Sequence, residues 1–245
     1  MQDQAPELRI AGNVATITLR RPSQHNRIAP DDCTVISNQL SHLAADAAVQ
    51  VLIITGTGTK TFSSGYTLGA IKDQLDSRFE DMLDCVEQFP RPTICALNGS
   101  VYGGATDLAL CCDFRLGIRG SKMLMPASRI GLHYYPGGIR RYVRVLGLAA
   151  AKKLFLTAQT IDDDEMLRLG FLTERVDAAE LDAMVRTYVE HILACEPKVL
   201  VTLKADLMST AYGSADQNIL RAHYTESLSS PELSVRLAAI NDKKR

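Results

Sequence analysis

Two short, almost wholly apolar runs constrain this chain most: Val51-Leu52-Ile53-Ile54, closed by Gly56, and Thr93-Ile94-Cys95-Ala96-Leu97, closed by Asn98-Gly99. Runs of this length bounded by turn residues are buried strands. Between them, residues 68–89 carry a helical pattern that ends against Pro90 and Pro92, because proline cannot continue a helix. Upstream, Leu8-Arg9-Ile10 and Val14-Ala15-Thr16-Ile17-Thr18-Leu19 alternate around Gly12-Asn13, as a hairpin does, and Pro22 ends the second strand. Acidic residues from Asp31, followed by Val35, Ile36, Leu40 and Leu43, start and pace a helix. Strand and helix therefore alternate, which predicts an α/β fold with crossover connections.

After Gly147 the pattern turns helical over residues 149–156, 162–169, 179–194, 197–208 and 217–240, with one strand at 171–176. No Pro/Gly/Ser-rich linker precedes this region. The division expected is a core over 1–195 and a helical lid or oligomerisation region over 196–245, rather than a free second domain. A chain of 245 residues can bury one large core, and 46% hydrophobic with 22% charged residues is ordinary for a folded domain.

A net charge of -1 gives no general attraction to nucleic acid or to an anionic membrane. No apolar run approaches the roughly 20 residues a membrane helix needs. The polar opening from Met1 to Glu7 is unlike a signal peptide, so a cytoplasmic location is the expectation. Cys33, Cys85, Cys95, Cys111, Cys112 and Cys195 all lie in apolar contexts without a C-x-x-C pair, and read as small buried hydrophobes rather than metal ligands or redox groups.

The loop Gly56-Thr57-Gly58-Thr59-Lys60-Thr61 follows a strand, yet Thr59 stands where a phosphate-binding loop requires glycine, and Thr61 stands where a dinucleotide fingerprint requires its third. It reads as an ordinary turn. A second constellation is more specific. Phe62-Ser63-Ser64-Gly65-Tyr66 follows the first buried strand, and Asn98-Gly99-Ser100-Val101-Tyr102-Gly103-Gly104-Ala105-Thr106-Asp107-Leu108-Ala109-Leu110 follows the second. Gly103-Gly104 precedes an apolar helical pattern, so free N–H groups and the positive end of a helix can face a ligand oxygen, and glycine lets that oxygen come close.

In Asn98-Gly99, Gly103-Gly104, Asp107 and Cys112-Asp113, joined to Phe62-Ser63-Ser64-Gly65 and to the opening segment from Arg21-Pro22 to Asn26, the sequence resembles the crotonase family of acyl-CoA enzymes. The resemblance runs from the first hairpin to the last helices. It implies a core of repeated ββα units wound as a superhelix, with a C-terminal α-helical region, and a trimer or dimer of trimers. The implied substrate is an acyl-CoA thioester, with coenzyme A as part of the substrate and no separate cofactor. By the same resemblance the backbone N–H groups of Tyr66 and Gly104 form an oxyanion hole, lined by Ser64, Gly65, Thr67 and Gly103.

The family's hydratases move protons with two glutamates. The first falls on Asp107, which keeps the carboxylate one methylene shorter; the second falls on Ala127, after Pro126, and alanine moves no proton. Thr67 stands where many relatives carry an aspartate. The stretch Gly131-Leu132-His133-Tyr134-Tyr135-Pro136 puts titratable side chains in place of the family's usual glycine- and proline-rich turn. Some decarboxylases of the family resemble it in carrying a tyrosine close to Tyr134, so His133 and Tyr134 are further candidates. Three readings stay open: a hydratase-like lyase or isomerase using Asp107, a decarboxylase of malonyl-type thioesters, and a non-catalytic acyl-CoA-binding relative. Arg140, Arg141 and Arg144, with Lys152 and Lys153, read as a solvated basic face, of which a share can contact CoA phosphates. The stripes Leu181, Met184, Val185, Tyr188, Ile192 and Leu233, Leu237, Ile240 read as core or subunit interface.

Overall fold

The computed structural model describes residues 3–242. The hairpin forms as β1 (Glu7–Ala11) and β2 (Val14–Leu19), with Ala11 opposite Val14 and Gly12 in the left-handed region at the turn. The later strands are β3 (Val51–Gly56), β4 (Thr61–Ser63), β5 (Thr93–Leu97), β6 (Ser100–Tyr102), β7 (Phe114–Ile118), β8 (Lys122–Leu124), β9 (Ile161–Asp162) and β10 (Glu174–Val176). The helices are α1 (Pro30–Ala45), α2 (Ile71–Gln74), α3 (Ser77–Glu87), α4 (Gly104–Cys111), α5 (Pro136–Thr157), α6 (Asp163–Arg168), α7 (Leu181–Ala194), α8 (Pro197–Tyr212), α9 (Gln217–Leu228) and α10 (Pro231–Asp242).

One sheet has the order β1-β2-β3-β5-β7-β10, parallel after its first pair. A second has the order β4-β6-β8-β9, parallel until its last pair. The chain thus lays a strand in the first sheet, the next strand in the second, and then a helix, three times over: β3-β4-α3, β5-β6-α4 and β7-β8-α5. Crossovers of this kind cover both faces of the first sheet, which is why β5 is buried along its whole length and its sequence does not alternate. The repeat also brings the ends of β4 and β6 side by side, and the two glycine loops with them.

The chain divides into two compact units, one up to Ile192 and one from Leu193 onward. In the first, Phe62, Phe89, Phe171 and Tyr142 are among the largest fully buried side chains. In the second, α8 and α9 bury no residue completely, and Leu207 and Val235 are 68% and 69% exposed. Of the two apolar stripes, Leu181 and Ile192 are buried, whereas Leu237 and Ile240 are exposed.

Several expectations change. The helix expected over 68–89 breaks at Leu75-Asp76, and α3 starts afresh because the Asp76 carboxylate accepts from the Arg78 N–H at 3.1 Å, a side-chain N-cap. The helix expected over 217–240 is two, with Pro231 opening α10. The strand expected over 171–176 shortens to its last three residues. The helix expected over 149–156 is the far half of α5, which kinks at Gly147, whose φ of 79° only glycine tolerates easily. Cys33, Cys95, Cys111 and Cys112 are buried as expected, but Cys85 is half-buried and Cys195, in the connection between α7 and α8, is exposed. Among the described residues no helix is long and apolar enough to cross a membrane.

Candidate active site

The loop after β4 is stitched to residues 25–28. The Ser64 N–H donates to the His25 carbonyl at 2.8 Å, the Ser63 hydroxyl to the Asn26 carbonyl at 2.7 Å, and the Ile28 N–H to the Gly65 carbonyl at 2.8 Å. The Thr67 N–H returns to the Ile28 carbonyl at 3.0 Å. These last two bonds make Ile28 and Tyr66 a parallel bridge, in which the N–H of Tyr66 itself points away from Ile28. Among the described residues that N–H has no protein acceptor.

The second loop ends at Gly103, whose N–H donates to the Leu124 carbonyl at 2.8 Å and whose φ of 54° turns the chain into α4. Gly104 is the first residue of that helix, so its N–H has no carbonyl one turn back, and among the described residues it too lacks a protein acceptor. The two loops abut. A Cβ on Gly65 would lie 2.6 Å from the Gly104 nitrogen and 2.7 Å from the Tyr102 carbonyl oxygen, and Gly65 has φ +81°, so only glycine permits this approach. Gly103 and Gly104 are partly exposed, and the Phe79 ring caps Gly104 so closely that a Cβ there would lie 2.5 Å from Phe79 Cζ. Phe79 also meets Tyr66 edge-on, with ring centres 5.3 Å apart.

One helical turn beyond Gly104, Asp107 is fully buried. Its Oδ1 accepts from Arg141 Nε at 2.9 Å and its Oδ2 from Arg141 Nη2 at 3.2 Å. Oδ2 also accepts from the hydroxyls of Tyr134, at 3.3 Å, and of Tyr135. A Cβ at Gly138 would fall 2.2 Å from Tyr134 Cε1 and 2.8 Å from Asp107 Oδ2, so the network closes only over glycine. Burial pushes the Tyr134 and Tyr135 hydroxyls to higher pKa, and the charge of Asp107 adds to it, so both stay protonated.

Arg141 is also fully buried, which overturns the expected solvated basic face at that residue, whereas Arg140 and Lys152 are exposed. Besides Asp107 it reaches Asp84 at 2.8 Å and Glu87 at 2.9 Å through Nη1, and the Tyr135 hydroxyl at 3.3 Å through Nη2. All five guanidinium donors are then engaged. Arg140 and Arg144 pair with Glu87 as well, and Lys153 pairs with Glu165. The physical reason is charge matching: α3 presents Asp84 and the buried Glu87, and a carboxylate out of water needs a partner. Sequence reasoning missed this cluster, although Asp84 and Glu87, one turn apart amid Phe79, Met82, Leu83 and Val86, place acids beside the buried stripe of α3.

Ala127 is buried, at the start of a 3₁₀ turn over Ala127–Ile130. The Thr67 hydroxyl donates to the Ile28 carbonyl at 3.0 Å and accepts from Arg27. His133 is exposed, with Nδ1 2.8 Å from the Tyr134 carbonyl, which requires the proton on Nδ1. Tyr134 and Tyr135 both turn inward to Asp107, with ring centres 4.6 Å apart and the planes tilted by 36°.

A ββα-repeat core in which two abutting glycine loops each carry a backbone N–H without a protein acceptor among the described residues is the class of α/β protein that the fold and site define. A family model described as Enoyl-CoA hydratase/isomerase matches residues 9–229, and the chain belongs to that family. It is similar to a crotonyl-CoA hydratase of Syntrophomonas wolfei, 30% identical over 188 residues that make up 74% of this chain and 72% of that one. It is also similar to a short-chain-enoyl-CoA hydratase of Clostridium acetobutylicum, 29% identical over 76% of this chain and 74% of its relative. The crystal structure of an enoyl-CoA hydratase from Bacillus anthracis superposes with a TM-score of 0.89 at 24% identity, over 98% of this chain and 97% of that one, so the expected crotonase fold is the fold observed.

Proposed function

We propose that the protein is an acyl-CoA enzyme that holds a thioester oxygen between the backbone N–H groups of Tyr66 and Gly104 while that oxygen becomes an enolate. The observation that carries this reading is that both N–H groups lie on abutting loops and neither is spent on a protein acceptor. Fixed donors aimed where charge develops lower a barrier by roughly 3 to 4 kcal/mol for a single donor, and the positive end of α4 adds to the same field. Ser64, Gly65, Thr67 and Gly103 would line the approach, and coenzyme A enters as part of the substrate. The assembly that fits the family is a trimer or dimer of trimers built through α8–α10, whose apolar residues are exposed in the single chain; sedimentation at a single-chain mass would count against it.

The names of the relatives speak for hydration. In this chain Ala127 and the saturated Asp107 speak for lyase or isomerase chemistry that does without paired carboxylates. The direct test compares binding of butyryl-CoA with binding of its thioether analogue, which lacks the carbonyl oxygen. The thioester should bind at least about tenfold more tightly, the ~1.4 kcal/mol that a well-placed neutral hydrogen bond from a fixed amide contributes; equal affinity refutes the oxyanion assignment.

A second reading, decarboxylation of malonyl-type thioesters, is favoured by the same alanine, since loss of carbon dioxide generates an enolate without a base. Release of carbon dioxide from methylmalonyl-CoA, lost in Tyr134→Phe, supports it, and unchanged release in that variant counts against a role for Tyr134.

A further inference from the structure

Asp107 has no route of its own to a substrate: it is fully buried and already accepts from Arg141, Tyr134 and Tyr135. Of these three partners Arg141 is fully buried and Tyr134 is 8% exposed, while Tyr135 is partly exposed. The Tyr135 hydroxyl donates to Asp107 and accepts from Arg141 Nη2 at 3.3 Å, which leaves one lone pair on its oxygen. Its ring stands edge-on to Phe79, with centres 6.3 Å apart, and Phe79 is the ring that caps Gly104 and meets Tyr66. Asp107 lies three residues beyond Gly104 on α4, a rise of about 4.5 Å. Tyr135 is therefore the least buried of the three partners of Asp107, and its ring packs on the ring that covers the Gly104 loop.

We propose that Tyr135 is a catalytic residue which passes a proton between the acyl substrate and the buried Asp107. This rests on the enolate reading above and names the group that makes the enolate. In the forward step the α C–H bond of the bound thioester breaks and its proton goes to the Tyr135 oxygen, as the Tyr135 proton moves to Asp107 Oδ2. The C–H electron pair becomes the enolate, whose oxygen is held by the Tyr66 and Gly104 N–H groups. Tyr135 begins and ends neutral, Asp107 ends as the carboxylic acid, and the reverse step restores both. A relay suits this hydroxyl better than ionisation, because burial and the neighbouring carboxylate disfavour a tyrosinate. Arg141 is not left unpaired when Asp107 takes the proton, since it keeps Asp84 and Glu87. Asp107 acts through Tyr135 and is a positioning and proton-storing residue.

The test is exchange of the α protons of butyryl-CoA in deuterium oxide, followed by proton NMR with the full-length protein, alongside binding of butyryl-CoA and of its thioether. The wild type should exchange. Tyr135→Phe and Asp107→Asn should each slow exchange by about 100-fold or more, the usual contribution of a positioned acid or base, while thioester affinity stays within about threefold. Tyr134→Phe should lose less than Tyr135→Phe. Retained affinity separates a lost proton relay from a collapsed site. Exchange by Tyr135→Phe at the wild-type rate, or a larger loss in Tyr134→Phe, overturns the relay and leaves the oxyanion reading standing, as does a wild type that prefers the thioester without exchanging. No preference for thioester over thioether brings down both.

Discussion

Arg141 shows how differently neighbouring residues of one type can be used. It is wholly buried against three carboxylates, whereas the Arg140 side chain is 48% exposed. Replacing a buried guanidinium leaves charges without a partner and costs about 3 to 5 kcal/mol, so Arg141→Met should lose that much in urea unfolding. Arg140→Met should lose under about 1 kcal/mol, as exposed pairs usually do. Comparable losses in the two variants would contradict the buried cluster. The chain presents Arg140, Arg141 and Arg144 as equivalent basic residues on a helix, and spacing alone cannot say which of them faces α3. The N–H of Gly104 was legible for the opposite reason: a glycine before a helix announces free N–H groups by local geometry, without any tertiary partner, whereas Tyr66 came only from the family resemblance.

At the level of elements, the alternation of buried runs with helical patterns already contains the crossovers of the first sheet, because an unbroken apolar strand must be covered on both faces, while the three-residue strands β4, β6 and β8 that complete each ββα unit are too short to show a period and were implied only by the resemblance. The break at Leu75-Asp76 was missed because the apolar period resumes there and only the capping bond of Asp76 marks the restart, whereas the break before α10 was marked in the sequence by Pro231. The two glycine loops depend on one another through Gly65. Gly65→Ala would put a methyl group 2.6 Å from the Gly104 nitrogen at a φ that disfavours alanine, so the loops must move apart. The expected outcome is a folded protein, by circular dichroism, whose butyryl-CoA affinity drops at least about tenfold by calorimetry, the ~1.4 kcal/mol of one oxyanion hydrogen bond. Unchanged affinity would show that the approach of the loops does not matter for thioester binding.

For the whole molecule, the buried cysteines set a limit on alkaline stability. Burial raises the Cys33 thiol from an ordinary 9.0 to about 12. Between those values the unfolded chain has released the proton and the folded one retains it, so unfolding releases a proton and stability falls with rising pH. The contribution is complete below about pH 9 and gone by about pH 12. Urea midpoints should therefore fall between pH 9 and pH 12, and Cys33→Ala should flatten that slope; an unchanged slope would place the loss elsewhere.

The most direct measurement on the proposed chemistry is the infrared carbonyl band of butyryl-CoA labelled with ¹³C at the thioester carbon. If the N–H groups of Tyr66 and Gly104 both donate to that oxygen, the band of the bound thioester moves to lower frequency than in water, and part of the shift disappears in Gly65→Ala. A bound thioester whose band stays at its frequency in water would contradict the assignment.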